Sequence, residues 1–461
     1  MRPSVSHHRP LRRRYASQHF RLIARLGQRV PASQWLQSGP LRVGAAVLAV
    51  AVALLAARCA APSPAAAPTE EEVRAGATAT LASRAIAVTN HDKAAYLSTD
   101  AAGWFKDADA QRFDNLAALP VAEWSMQLAD TQPEALAKAG VPHVYQVTET
   151  YELSGVDFQP VTVTRYLTFV QHGGKWLLSS DRDGAKAGLR ADTQIWDQGP
   201  VSVVRGSRSL VIGLGGEQRL KPFADLADHA AGKAAKVWGA AGWSGDVLVL
   251  VPNTQDQVET LLNASPGSLR GVVAITAGEG GKSLTGAPAS RVLINPDAFN
   301  AEAPDAWQFF FDHELTHVAT RAWTTAAVPL WLSEGAADYT GYLSSTISAD
   351  RKFLELANAV GGGWKPEELP VTDDFHGDGA AVSRTYQISH LACAYIAEKY
   401  GQAKLVAFYD AVGSAPEGTA DPVDQAFRTV LGTTTKDFTV KWRADVLAEA
   451  TSVQSLLKKK S

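Results

Sequence analysis

Cysteine is almost absent: Cys59 and Cys393 are the only two in 461 residues. They fall in different segments, and Cys393 sits in an apolar helical pattern, so the fold does not depend on a disulfide framework. That scarcity says nothing by itself about compartment. Net charge is small, −3, which argues against a nucleic-acid partner for the chain as a whole. Disorder is excluded as well, because 46% of the residues are hydrophobic and 20% charged, the balance of an ordinary globular protein. The length leaves room for roughly two or three domains.

The N-terminus is basic and polar over residues 1–42, with Arg2, Arg9, Arg12, Arg13, Arg14, Arg21, Arg25, Arg29 and Arg42. Residues 43–58 follow as an apolar segment, uncharged up to Ala57. The run is shorter than the ~20 residues that a full span prefers and at the long end for a signal core. Basic before apolar predicts an inside-to-outside orientation, so everything after residue 60 is expected outside the cytoplasm. Two outcomes stay open: a cleaved signal sequence that leaves a secreted protein, or an uncleaved N-terminal membrane anchor. Leu55-Ala56-Ala57-Arg58-Cys59 resembles a bacterial lipoprotein cleavage box, but Arg58 stands where that box has a small residue. Cys59 is therefore read as an incidental cysteine at a membrane boundary. Residues 59–69, rich in Ala and Pro, form a linker.

Thr69-Glu70-Glu71-Glu72 reads as a capping box opening a helix to about Val88, and His91-Asp92-Lys93 opens a second, short one. Period-two alternation then predicts strands at 121–128, 141–153, 161–170 and 175–180, with Gln171-His172-Gly173-Gly174-Lys175 as a hairpin turn. Helices followed by antiparallel strands imply an α+β domain over residues 70–192. This layout, with Gly174-Lys175-Trp176-Leu177-Leu178, resembles the NTF2-like domains, which often enclose an apolar pocket. A packing or spacer module is the favoured role, and a ligand or peptide pocket the alternative.

A second unit spans residues 200–457. Strands are expected at 209–213, 246–251, 271–277 and 291–295, with a helix at 220–238. Gly278-Glu279-Gly280-Gly281-Lys282 lacks the full spacing and the following helix of a phosphate loop, so it is read as a flexible hairpin. Further helices are expected at 353–360, 386–400, 424–431 and 435–457, with a Pro-, Asp- and Gly-rich loop at 364–380 and a basic tail at 458–461.

Within this unit lies Phe309-Phe310-Phe311-Asp312-His313-Glu314-Leu315-Thr316-His317. On a helix, positions i and i+4 share a face, so His313 and His317 are expected to point at one metal ion. Glu314 projects beside them, where a carboxylate takes a proton from a metal-bound water without ligating the metal. The five-residue pattern alone is a weak signal, since it turns up by accident in roughly one chain in a hundred of this length. What adds to it is Trp331-Leu332-Ser333-Glu334-Gly335-Ala336-Ala337-Asp338-Tyr339, a second helix whose Glu334 comes after enough chain to turn and run back. Glu334 is then the third ligand, leaving a position for water, and Asp338, one turn on, accepts the free N–H of a ligating histidine.

The two segments together resemble the gluzincin metallopeptidases, whose M1-like and peptidase MA-like branches carry a WLxEGxA(D/E)Y stretch. The resemblance covers about 200 residues at the C-terminal end. It implies a small mixed sheet plus a helical subdomain, a Zn2+ cofactor held by His313, His317 and Glu334, Glu314 as general base, and Asp338 behind the ligands. It also implies that an edge strand, around residues 271–277 by position, pairs with substrate backbone. Tyr386 is the first candidate for the group that stabilises the oxyanion, with His390 and His376 in reserve. The chain lacks the Gly-x-Met-x-Asn signature with which M1 aminopeptidases hold a free amino terminus, and Met occurs only at Met1 and Met126. An endopeptidase-like or undefined specificity toward an extracytoplasmic peptide or protein is therefore expected, with endo- and exopeptidase action both open. The competing expectation is a non-catalytic, zinc-stabilised envelope protein that binds a ligand through residues 70–192. Retention of Glu314 argues against it, because a structural site gains nothing from that carboxylate. The sequence does not indicate an oligomeric state.

Overall fold

Thr69 starts the first helix as the capping box requires: its own N–H donates to Glu72 Oε2 at 2.8 Å, and the Glu72 N–H donates to Thr69 Oγ1 at 3.3 Å. The structure is a computed structural model and describes residues 67–138, 140–279, 289–343, 345–377 and 379–460. The basic N-terminal segment, the apolar run, Cys59, Asp378 and the Gly280–Lys282 part of the glycine loop lie outside the described residues. Among the described residues no helix is long and apolar enough to cross a membrane.

The chain is α+β. Its first part holds α1 (Glu70–Thr89), α2 (Lys93–Leu97), α3 (Trp104–Ala118), β1 (Val121–Leu128), α4 (Glu134–Lys138), β2 (Val144–Leu153), β3 (Val161–His172) and β4 (Lys175–Ser180). The strands form an antiparallel meander in the order β1-β2-β3-β4. Gly173 and Gly174, both at positive φ, close the expected β3–β4 hairpin. Helix α1 lies on the sheet through Val73, Ala77 and Leu81. A Cβ at Gly76 would sit 1.9 Å from Trp176 Cδ1, so only glycine lets that indole rest on the helix.

Helix α3 was not expected, and its packing explains why. Its buried face carries Asp109 and Asn115 among the apolar residues. Asn115 donates to the carbonyls of Trp196 and Gly199 and accepts from the Val201 N–H. Beside it Arg112 and Arg165 pair with Glu149 and Asp197 at 2.7–3.0 Å. Charged groups thus occupy interior space in this module.

The second part begins with β5 (Val201–Arg205), β6 (Ser209–Leu214), α5 (Glu217–Trp238), β7 (Val247–Val251), α6 (Gln255–Leu261), β8 (Ala274–Glu279) and β9 (Ala289–Ile294). The sheet order is β5-β6-β7-β9-β8, parallel through β6, β7 and β9 and antiparallel at both ends. The central strands are buried on both faces and so read as continuous apolar runs. Leu210, Ile212, Leu248, Leu250 and Leu293 join the core of the first module, whereas Val211, Val249, Val251, Val292 and Ile294 join the core of the helical part. Strand β5 was not expected. Strand β8 begins three residues later than anticipated, because Gly271 adopts φ +79, a left-handed conformation outside the strand region.

The helices that follow are α7 (Pro296–Phe299), α8 (Pro304–Thr320), α9 (Leu330–Tyr342), α10 (Ala349–Lys352), α11 (Leu354–Gly361), α12 (Gly379–Tyr400), α13 (Gln402–Gly413), α14 (Pro422–Val430) and α15 (Thr435–Lys460). Helix α12 starts seven residues before the expected Tyr386. Gly401, at φ +97, turns the chain into α13, which was also unexpected. The alanine face of α5 (Ala227, Ala230, Ala231, Ala234) is fully buried in the core that also holds Phe311 and Leu315 of α8.

Candidate metal centre

Helix α8 is buried along most of its length, His313 and Glu314 included, because Phe309, Phe310, Phe311, Leu315 and Val318 all join the core. Two imidazoles one turn apart on such a helix must find partners there. Helix α9 supplies one. His313 Nε2 lies 3.2 Å from His317 Nε2 and 3.3 Å from Glu334 Oε2, and His317 Nε2 lies 3.6 Å from the same oxygen. Donor atoms held about 2.0–2.1 Å from a tetrahedral zinc ion are about 3.3–3.4 Å apart. The three atoms therefore have the spacing of three ligands on one ion, and this buried group could hold a metal.

The partners of each ring decide where its lone pair points. Asp338 Oδ1 is 2.8 Å from His313 Nδ1. A carboxylate only accepts, so Nδ1 donates to it and Nε2 is the ring atom that faces Glu334 and His317. Ser333 Oγ is 3.5 Å from His317 Nδ1, which orients the second ring more loosely. Burial alone would lower the His313 pKa, but hydrogen bonds to Asp338 and Glu334 outweigh it and raise it well above the ordinary value. Burial would raise the Glu334 carboxyl, yet the charge of His317 and hydrogen bonds from both histidines hold it well below the usual carboxylate range.

Tyr386 reaches this cluster from α12. It is buried, and its hydroxyl lies near the Glu334 carboxylate. Burial and the charge of Glu334 push its pKa well above that of a free tyrosine, so it stays a donor. Gly335 permits this approach: a Cβ there would lie 2.4 Å from the Ser389 carbonyl oxygen on α12. The two reserve histidines are placed differently. His376 is exposed, and His390 is buried and packs on the rings of Tyr342 and Phe353.

Glu314 is met from the sheet. Thr276, on the edge strand β8, donates to Glu314 Oε2 at 2.6 Å, with the Glu314 carbonyl oxygen at 3.0 Å. Behind the ligands, Lys233 of α5 pairs with Asp312 and donates to the Leu343 carbonyl at 2.8 Å, bracing α8 against the end of α9. Sequence reasoning missed Thr276, Ser333, Gly335 and Lys233. For Thr276 a signal existed, since it lies within the stretch read as the edge strand.

The chain matches no family model, no curated protein and no solved structure. The functional reading therefore rests on this geometry and on the motifs that build it.

Proposed function

We propose that the chain is a zinc-dependent peptidase of the gluzincin type, acting on an extracytoplasmic peptide or protein. The observation that carries this reading is the convergence of His313 Nε2, His317 Nε2 and Glu334 Oε2 within 3.2–3.6 Å of one another, with the Glu314 carboxylate on the next residue of the same helix. Two imidazoles and one carboxylate suit zinc, and three protein ligands leave a coordination position for water. Zinc bound there supplies a Lewis acid that lowers the pKa of water toward about 7.

The remaining steps belong to the chain. Glu314 Oε2 is engaged by Thr276, which leaves Oε1 to take the proton from the attacking water. The same carboxyl then gives that proton to the departing amine nitrogen. Tyr386, a hydrogen-bond donor beside Glu334, is placed to turn toward the carbonyl oxygen as negative charge develops on it. Among the described residues strand β8 has a neighbour on one side only, and its outer edge is the one that would pair with an extended substrate. Residues 70–192 form an NTF2-like packing module behind the sheet, and the segment before residue 60 directs the chain out of the cytoplasm as a signal or an anchor.

The test is Glu314→Gln. The variant is expected to bind one zinc per chain by elemental analysis and to lose hydrolysis of a denatured protein substrate, while wild-type hydrolysis is abolished by a chelator and restored by zinc. Absence of chelator-sensitive cleavage of any peptide library by wild type would overturn the peptidase reading.

A further inference from the structure

The Glu314 carboxylate hangs on a flexible side chain, and catalysis needs one orientation of it. Helix α8 fixes only its backbone. What fixes its end comes from another element. Thr276 pairs with the fully buried Val292 of strand β9, so the sheet holds its backbone. A β-branched residue in a strand has a restricted χ1, which aims the hydroxyl without further support. Alternation along β8 places Ala274 in the core shared with α8, while Ile275 and Ala277 pack toward the first module. Thr276 therefore faces α8, with its oxygen 2.6 Å from Glu314 Oε2. A hydroxyl carries a single proton, which goes to the nearer acceptor, and the Glu314 carbonyl at 3.0 Å is the farther one.

We propose that Thr276 is a positioning residue for the general base: its hydroxyl occupies Glu314 Oε2, turns Oε1 toward the attacking water, and locks the edge strand to the catalytic helix. This deepens the peptidase reading and rests on it for its catalytic consequence. Because the bond joins strand to helix, it also sets the height of β8, and of any substrate paired to it, relative to Glu314. Misplacement by about 1 Å can cost on the order of 100-fold in rate.

Thr276→Val removes the donor and keeps the shape, whereas Thr276→Ser keeps the donor. In the full chain loaded with zinc, Thr276→Val is expected to retain one zinc per chain and a peptide KM within about threefold of wild type, and to lose about 10- to 100-fold in kcat. Thr276→Ser is expected to recover most of that loss. The side-chain carboxyl carbon signal of Glu314, assigned by its disappearance in Glu314→Gln, is expected to shift in Thr276→Val and to stay near its wild-type position in Thr276→Ser. This signal is read without any substrate, so it decides the hydrogen bond even if wild type cleaves nothing, which separates failure of this inference from failure of the peptidase reading. An unmoved carbon signal, an unchanged kcat in an active enzyme, or a serine variant no better than valine would each overturn the proposal.

Discussion

His313 Nδ1 donates to Asp338 Oδ1 across 2.8 Å, and the two side chains are only 7% and 6% exposed. This pair holds the His313 ring with Nε2 toward Glu334 and His317. Removing it leaves the imidazole free to rotate and to carry its proton on the wrong nitrogen. Asp338→Ala is expected to weaken zinc binding by about 10- to 100-fold, and Asp338→Asn by less, since the amide oxygen still accepts. Competition with a chromophoric chelator measures both.

Tyr386 separates two roles in one experiment. Its hydroxyl lies near Glu334 without ligating the metal, so Tyr386→Phe is expected to lower zinc affinity by less than tenfold. If the hydroxyl also meets the developing oxyanion, kcat falls by roughly 100-fold or more with KM little changed. Zinc titration and steady-state kinetics on the same preparation read the two effects apart.

The candidate metal cluster was legible because its residues obey short-range rules. His313 and His317 share a helix face by arithmetic, and Asp338 follows Glu334 by one turn. The site's tertiary supports were not. Thr276 and Gly335 act through the approach of β8 to α8 and of α12 to α9, distances that local periodicity does not contain. The same limit explains α3. Its inward Asp109 and Asn115 break the apolar period, and their partners, Arg84 and the 196–201 segment, come from elsewhere in the chain. The α+β class and most strands survived because alternation is local. The start of β8 did not, because the backbone of Gly271 overrode its apolar neighbours.

The first module holds a charge cluster whose removal tests its cost. Glu149 is fully buried and accepts from Arg112 at 2.8 and 2.9 Å and from Arg165 at 3.0 Å. Arg112→Met takes away two of these bonds and leaves a buried carboxylate underpaired. A loss of about 3–5 kcal/mol is expected, read from urea unfolding followed by far-ultraviolet circular dichroism. The wild-type cluster also predicts an acid limb. Burial opposes ionisation of Glu149 and Asp197, but the charges of Arg112 and Arg165 hold both carboxyls below their ordinary values. Their contribution is complete above the unfolded pKa of about 4 and is lost as pH falls through the folded values.

Lys352 predicts the opposite limb. Burial brings its pKa down to about 8, against the pull of Asp338, Glu449 and Glu398, while its Nζ sits 3.9 Å above the Tyr342 ring. In the unfolded chain a lysine titrates near 10.4. Between about pH 8 and that value the unfolded state binds more protons than the folded one, so this group makes stability rise with pH across the window. Below about pH 8 both states are protonated, and the cost of keeping the buried ammonium is present in full. Lys352→Met removes that cost together with the cation–π contact. Its melting temperature is expected to lack the wild-type rise above pH 8, which thermal melts of both proteins from pH 7 to pH 10.5 would detect. A wild-type melting temperature that stays level or falls relative to the variant across that range would show that the ammonium is solvated in the folded protein.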